Sequence, residues 1–500
     1  MCARRLAALV SLLALSVVST ESAAQPILEE HRTLITRPEG GAGTQPLLGA
    51  ILTPSGIDSF ITDYMQHNRI PGLSACIVKE GRLAWEGYYG FADVSLQKPV
   101  GPNTSFMLAS VSKTITGTAL MQLWEEGKFG LDDDVNAYLP FSVRNPNYPG
   151  SSITFRQLMS HVSSISDTWD NMPYFQGDSP LALGWYLSEY LNPKGSYYAT
   201  TNYLRAPPAT LFRYCNIAVA LCGYLVEAIS GVPFDRYCRD SIFVPLGMTN
   251  TAWFLRDLET TLVARPYAWT STGYVDYGLF GYTDYPAGAL RTTARSLGRF
   301  LMAHVGWGRW NGVQILDSTT VRLIRTVQYP ALQPSWGIIW FREAIGPGMC
   351  WGHTGGDFGV RTWMFLAEGA DYGVVVLTNV SSADAGPIVS TLLAMADTMV
   401  VDVNDRSGGP EAPACFVLEQ NYPNPFNPGT WIRYQLPEAS EVKLVVYDLL
   451  GREVAVLTDG RKDRGTHTVR CDAPGVASGV YFYRLTAGDV VQTRRMLRLR

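Results

Sequence analysis

From residue 57 onward the apolar positions of this chain fall into regular periods. Ile57, Phe60, Ile61 and Tyr64 recur at three- and four-residue spacing, which marks one face of a first helix. Residues 73–78 and 83–89 are rich in apolar and aromatic side chains. The turn-forming string at 79–82, Lys-Glu-Gly-Arg, divides them, so they predict two paired strands. After Ser110, the positions Ile115, Ala119, Met121 and Leu123 continue a helix until Gly127. Helical text dominates from there to about residue 300, and strand-like runs return at 336–341, 362–366 and 372–377. Strands at both ends with helices between require distant segments to join one antiparallel sheet. That is an α+β organisation, expected to fill residues 51–401.

The pattern changes at 402–415. The string at 404–413, Asn-Asp-Arg-Ser-Gly-Gly-Pro-Glu-Ala-Pro, reads as an exposed linker. Beyond it, six short alternating runs at 431–434, 442–447, 454–457, 467–471, 479–485 and 490–497 are separated by turn residues. Such spacing predicts a small β-sandwich over 416–500. At the other end, Arg4 and Arg5 precede an apolar run over 6–18, and small residues follow at Ser22, Ala23 and Ala24. Residues 1–24 therefore read as an export signal, with an N-terminal membrane anchor as the alternative. The run falls short of the roughly 20 residues a membrane span needs, and no later run is long enough. Residues 25–50, with Gly40, Gly41 and Gly43, read as a leader segment.

A length of 500 residues implies two or more domains, and a hydrophobic content of 47% with 17% charged residues excludes bulk disorder. The net charge of −4 gives no support for nucleic-acid binding. Removal of residues 1–24 would leave Cys76, Cys215, Cys222, Cys238, Cys350, Cys415 and Cys471. An odd number leaves at least one thiol unpaired, and the spacings assign no pairing and no metal set. Cys215 and Cys222 read as small buried residues on one helix side.

Three strings carry the candidate chemistry: Ser110-Val-Ser-Lys113, Tyr214-Cys-Asn216 and His353-Thr-Gly-Gly356. Ser110 and Lys113, three apart on a helix, share one face. A serine hydroxyl is a poor nucleophile at neutral pH and needs a neighbouring base. Lysine serves as one only when burial or a positive field makes it neutral. Tyr214 and Asn216 project to one side of an extended segment, as a second proton carrier and an amide that holds substrate or lysine. Gly355 and Gly356 let the backbone approach a substrate, and the Gly356 N–H would face an oxyanion beside that of Ser110. Ser-x-x-Lys also occurs at Ser95 and Ser440, and Tyr-x-Asn at Tyr190 and Tyr422, so order and context must select the working copies. Asp132, Asp133 and Asp134 read as a solvated loop or N-cap, and His161 as a structural hydrogen-bonding histidine. Trp336, Trp340, Trp351 and Trp363 read as core residues rather than the lining of a cleft near His353. Gly-x-Ser-x-Gly, His-Glu-x-x-His and phosphate-loop motifs are missing from the sequence.

The segment 106–123 with Ser110 and Lys113 resembles the nucleophile segment of penicillin-binding and class C β-lactamase-like serine hydrolases. Leu158-Met-Ser-His161, Pro245-Leu-Gly-Met248, Pro286-Ala-Gly-Ala-Leu290 and Gly352-His-Thr-Gly-Gly356 extend the resemblance over roughly 50–400. It implies a β-lactamase/transpeptidase-like sheet with helices and an all-helical subdomain. It also implies acylation of Ser110, with Lys113 and Tyr214 sharing the proton work and the N–H groups of Ser110 and Gly356 holding the oxyanion. Asn216, His353, Thr354 and Gly355 would hold substrate, with no metal or organic cofactor. Many β-lactamases and peptidases of this family carry Lys where this chain has His353. A histidine is mostly neutral at pH 7, so an ester or small amide is at least as good a substrate as a carboxylated β-lactam. The rivals are a D-Ala-D-Ala-type peptidase and a non-catalytic binding or sensor protein. The segments 418–428, 447–453 and 479–484 resemble the C-terminal sorting domain of type IX secretion cargo, here an Ig-like sandwich over 416–500. That implies contact with the secretion machinery and passage through the periplasm of a Gram-negative-type bacterium. The protein would then be released or held at the cell surface.

Overall fold

The structure, a computed structural model, describes residues 54–400 and 416–499 apart from 419, 422–423, 427–428, 473–476 and 489. The signal, leader and linker expectations lie outside the described residues. The chain divides into two units, Met1–Val401 and Asp402–Arg500.

In the first unit, seven strands form one antiparallel sheet. They are β1 (Gly72–Lys79), β2 (Arg82–Asp93), β3 (Lys98–Pro99), β4 (Phe341–Ile345), β5 (Gly348–Asp357), β6 (Val360–Ala367) and β7 (Tyr372–Thr378). Their order is β4-β5-β6-β7-β1-β2-β3, so the end of the unit pairs with its beginning, Leu73 opposite Thr378. Every residue of β1 and β7 is buried, because helices cover both faces. The main helices are α1 (Pro54–His67), α2 (Ser112–Glu125), α3 (Asn216–Ser230), α4 (Ala294–Val305) and α5 (Gly386–Thr398). Ala75, Ile77, Val374 and Val376 pack with Ile57 and Ile61 of α1 and Leu392 of α5. Cys76, Val78, Val375 and Leu377 face Leu297 and Phe300 of α4 and the larger core around α2 and α3. Burying each such aliphatic side chain is worth about 1.5–3 kcal/mol, which explains apolar residues on both faces of these strands.

α3 carries apolar residues almost all round, and α2 is buried along most of its length with both apolar and polar side chains, so both sit inside the helical part of the unit. The buried threonines of α2 are satisfied: Thr116 Oγ1 donates to the Pro286 carbonyl at 2.6 Å and Thr114 Oγ1 to that of Val111 at 2.7 Å. Among the described residues no single helix is long and apolar enough to cross a membrane.

The run at 336–341 differs from its expected strand, since β4 begins only at Phe341. Residues before it bond to three separate partners: Gly337 N–H to the Trp340 carbonyl, Ile338 N–H to that of Ile324 and Ile339 N–H to that of Met159. The apolar run is a buried bend, with Ile339 at φ 65°. Asp134 caps the short helix Val135–Ala137 through the Asn136 N–H at 3.0 Å and pairs with Arg144, as a loop carboxylate. Cys76, Cys215, Cys222, Cys238, Cys350 and Cys471 are all buried free thiols.

The second unit holds β8 (Val417–Leu418), β9 (Gly429–Leu436), β10 (Ser440–Tyr447), β11 (Glu453–Lys462), β12 (Gly465–Asp472), β13 (Gly479–Ala487) and β14 (Val490–Arg498). They make two sheets, β8-β9-β12 and β11-β10-β13-β14. Alternate residues of both, among them Ile432, Tyr434, Leu444, Tyr483 and Leu485, meet in one apolar core. β8 is a strand the periodicity did not reveal, being two residues long.

Candidate active site

A short turn, Ala109–Val111, leads into α2. Ala109 sits at φ 45°, a left-handed conformation that costs a non-glycine residue energy and persists only where neighbours impose it. They do so here: Leu108 N–H donates to the Leu290 carbonyl at 2.8 Å, and the Leu108 carbonyl accepts from Thr362 Oγ1 at 2.6 Å. The turn leaves Ser110 half-buried while Lys113, one turn on, is wholly buried. Lys113 Nζ lies 2.9 Å from Ser110 Oγ, 2.7 Å from Asn216 Oδ1 and 2.6 Å from the Ala287 carbonyl oxygen. All three partners are neutral oxygens. Burial pushes the ammonium down to about 8, against the more distant negative charges of Asp167, Asp284 and Asp357 that favour it. Asp284 in turn is pushed up to about 7, by burial first and then by Asp167.

Asn216 opens α3, and its geometry is set by Asp167. The Asp167 carboxylate accepts from the Asn216 N–H at 2.8 Å, the Ile217 N–H at 3.0 Å and Asn216 Nδ2 at 2.9 Å. It thus caps the helix start from outside and turns the Asn216 oxygen toward Lys113. Tyr214 precedes this start. Its ring lies 5.0 Å from Lys113 Nζ. Burial raises its phenol well above the usual value; Ser110 is near enough to ease ionisation, yet the buried hydroxyl makes no hydrogen bond of sound geometry.

The third string lies on β5. Thr354 pairs with Trp363 and Gly356 with Arg361 across β6. Gly355 backs onto the nucleophile turn: a Cβ there would stand 2.3 Å from the Leu108 carbonyl oxygen and 2.2 Å from Thr362 Oγ1. This close approach brings residues 353–356 against Ala109 and Ser110. His353 is buried, its ring 6.2 Å from that of Tyr214, 5.8 Å from Trp336 and 5.3 Å from Phe341. Its Nδ1 is 2.6 Å from the Thr354 carbonyl oxygen, which can only accept, so Nδ1 carries the proton. Burial, then the Lys113 charge, holds the imidazole down to about 3. It is neutral at pH 7.

The structure thus gathers Ser110, Lys113, Tyr214, Asn216, His353, Thr354, Gly355 and Gly356 around one turn. The rival copies are engaged elsewhere: Ser95 Oγ donates to Asp93, Lys98 Nζ to the Thr261 carbonyl, and Lys443 pairs with Asp459. Asp167 was missed, for a lone aspartate in loop text carries no periodic or spacing signal. Asp284 was missed for the same reason, and Trp336 is buried as a core residue while also packing edge-on against the His353 ring. Among the described residues no group of three or more His, Cys, Asp or Glu side chains is placed to hold a metal ion.

Residues 57–394 match the Beta-lactamase family, and residues 420–498 match the Secretion system C-terminal sorting domain. Protein flp of Staphylococcus aureus (strain MRSA252) is 25% identical over 343 residues, 67% of this chain; the chain spans 65% of that relative's length. Beta-lactamase-like protein 2 of Dictyostelium discoideum is 28% identical over 275 residues, 53% of this chain and 47% of the relative. Among solved structures, the D-amino acid amidase from Ochrobactrum anthropi SV3 complexed with L-phenylalanine amide shares the fold with TM-score 0.56 and 21% identity, covering 70% of this chain and 98% of that one. The penicillin-binding protein homologue from Pyrococcus abyssi does so with TM-score 0.55 and 18% identity, covering 88% and 100%. By the match over 57–394, this chain belongs to the Beta-lactamase family, and it carries a secretion system C-terminal sorting domain.

Proposed function

We propose that the protein is an exported hydrolase that cleaves a small ester or amide through an acyl-enzyme on Ser110. One observation carries this reading: a wholly buried lysine, pushed down to about 8, with Nζ 2.9 Å from the Ser110 oxygen. At pH 7 about one such lysine in ten is neutral, against fewer than one in a thousand at the ordinary value. Neutral Lys113 takes the Ser110 proton as Oγ bonds to the substrate carbonyl carbon. Tyr214, whose phenol stays protonated, serves as donor and relay to the leaving group. The N–H groups of Ser110 and Gly356 receive the oxyanion, and the proton then passes to the departing alcohol or amine. Water repeats the sequence and frees the acid. Asn216 fixes Lys113, while His353, Thr354 and Gly355 form the strand edge along which substrate lies.

A neutral His353 offers a substrate carboxylate no charge, which favours uncharged esters and amides over carboxylated β-lactams or a D-Ala-D-Ala-type peptide end. A binding or sensor protein would need no lysine whose burial costs stability. No metal or organic cofactor enters the scheme. Residues 51–401 form the hydrolase domain in this reading, and 402–415 a linker. Residues 416–500 form an Ig-like sandwich read by the secretion machinery after passage through the periplasm of a Gram-negative-type cell.

The test is intact-mass analysis after exposure to a fluorophosphonate probe. The wild-type protein gains one adduct on Ser110; Ser110→Ala gains none and loses at least about 10³-fold of its turnover of a short neutral ester. Undiminished hydrolysis by folded Ser110→Ala refutes the reading. In the same panel, a stable penicillin adduct would favour the peptidase or sensor, and no reaction with any acyl compound a binding protein.

A further inference from the structure

His161 takes no part in the chemistry above, yet it brackets Tyr214 on both sides. Its own carbonyl accepts from the Arg213 N–H at 2.8 Å, and its Nδ1 accepts from the Cys215 N–H at 3.2 Å. Between these two bonds the Tyr214 side chain leaves the backbone, and the two rings lie 4.4 Å apart at 34°. The Trp336 ring meets the same imidazole edge-on at 5.1 Å and Phe212 at 6.0 Å. The origin of the bracket is local. The helix Phe155–Met159 starts in a capping box between Thr154 and Gln157, and just beyond its end His161 turns to φ 57°. That left-handed turn reverses the chain, so that residues 161–164 run beside 204–213: the Val162 carbonyl accepts from Ala209 and the Ser164 carbonyl from Leu204, both at 2.8 Å.

We infer that His161 is the positioning residue for Tyr214, fixing where the phenol stands relative to Ser110 and Lys113. Two features make an imidazole suited to this. An acceptor is needed at the Cys215 N–H, so Nδ1 must be unprotonated, and burial beside Lys113 and His353 keeps the ring neutral. A flat face is needed against the phenol, because the Tyr214 oxygen has no hydrogen bond of sound geometry to hold it. Packing and the two backbone bonds are what set its angle. An aliphatic replacement would keep volume but lose the acceptor, and leave a buried N–H without a partner.

This inference rests on Ser110 being the nucleophile, and labelling by a fluorophosphonate separates the two. The measured quantities are the rate constant of labelling and the fraction of protein finally labelled. Loss of structure alone lowers the fraction and leaves the rate constant unchanged; loss of positioning slows the rate at full labelling. His161→Ala is expected to slow it about 10–100-fold, within the range a misplaced proton carrier costs. His161→Asn, whose Oδ1 falls where Nδ1 stood, should return to within about fivefold of wild type, and His161→Gln, whose amide reaches too far, should not. In a Tyr214→Phe background, His161→Ala should change the rate less than about twofold, because residues acting as a unit are not additive. Wild-type labelling by His161→Ala, or multiplying effects in the double variant, would overturn the inference. Should His161→Ala fail to fold, equal rates for the Asn and Gln variants would do so. An unlabelled wild-type protein would remove the nucleophile itself, and the brace with it.

Discussion

Lys113 and Tyr214 both stand beside Ser110, and the same burial drives them in opposite directions. A cation loses hydration on burial and gives up its proton more readily, so Lys113 comes down to about 8. A phenolate loses hydration too, so Tyr214 is held above its ordinary value. The lysine is therefore the group that can be neutral near physiological pH, and the phenol can act only as a donor or relay. The consequence is a rate that follows deprotonation of Lys113. Fluorophosphonate labelling should rise about tenfold per pH unit up to about 8 and then level off. A rate flat from pH 6 to 9 would contradict the assignment. Asp167 supplies the first of the charges that hold the ammonium up, so Asp167→Asn should move this limb to lower pH. An unmoved or raised limb would show that its charge does not reach Nζ. The sequence named Lys113 and Tyr214 as proton carriers without dividing the work between them, because burial and the placement of Asp167 depend on segments remote in the chain.

At the scale of elements, the site depends on β5 lying against the turn before α2. Gly355 and Gly356 look alike in the sequence, and their surroundings differ. A methyl group at 355 would meet the Leu108 carbonyl at 2.3 Å and Thr362 Oγ1 at 2.2 Å, one backbone and the other tied to it. At 356 it would meet only the guanidinium of the Arg361 side chain at 2.9 Å, which is held by one hydrogen bond from Nε to the Ser381 carbonyl and gives way more easily than backbone. Gly355→Ala should thus cost about 1–3 kcal/mol, the range for overpacking, while Gly356→Ala stays within about 1 kcal/mol. Because the strand must retreat from Ser110, labelling by Gly355→Ala should also slow by about 10²-fold, as a shift near 1 Å can. Denaturant midpoints and labelling rates check both, and equal stability of the two variants would refute the contrast. The sequence revealed β1, β2, β6 and β7 because their apolar runs are short and bounded by turn residues. It misplaced 336–341, whose apolar residues are just as dense, because a buried bend and a buried strand look the same by composition. Only the hydrogen bonds to Ile324 and Met159 tell them apart.

For the whole molecule, the sequence pointed to strands from the two ends of one domain sharing a sheet, and β7 does pair with β1. What it could not give was the order of the strands, since antiparallel pairing of distant segments leaves no local trace. The two units differ in kind. The first gathers its cores from residues up to Met399, on both faces of its sheet. The second closes a core of its own from residues between Phe416 and Met496. Every candidate catalytic residue falls between Ser110 and Gly356, within the first unit. A chain ended after Val401 should therefore fold and keep the labelling rate constant within about twofold, since domains with separate cores behave as independent folding units. Its thermal transition should coincide with one of two transitions of the full chain. An insoluble product, or labelling slowed tenfold, would mean that the hydrolase depends on the sorting domain for its stability. The opposite outcome would mean that the labelling chemistry at Ser110 does not depend on residues 416–500.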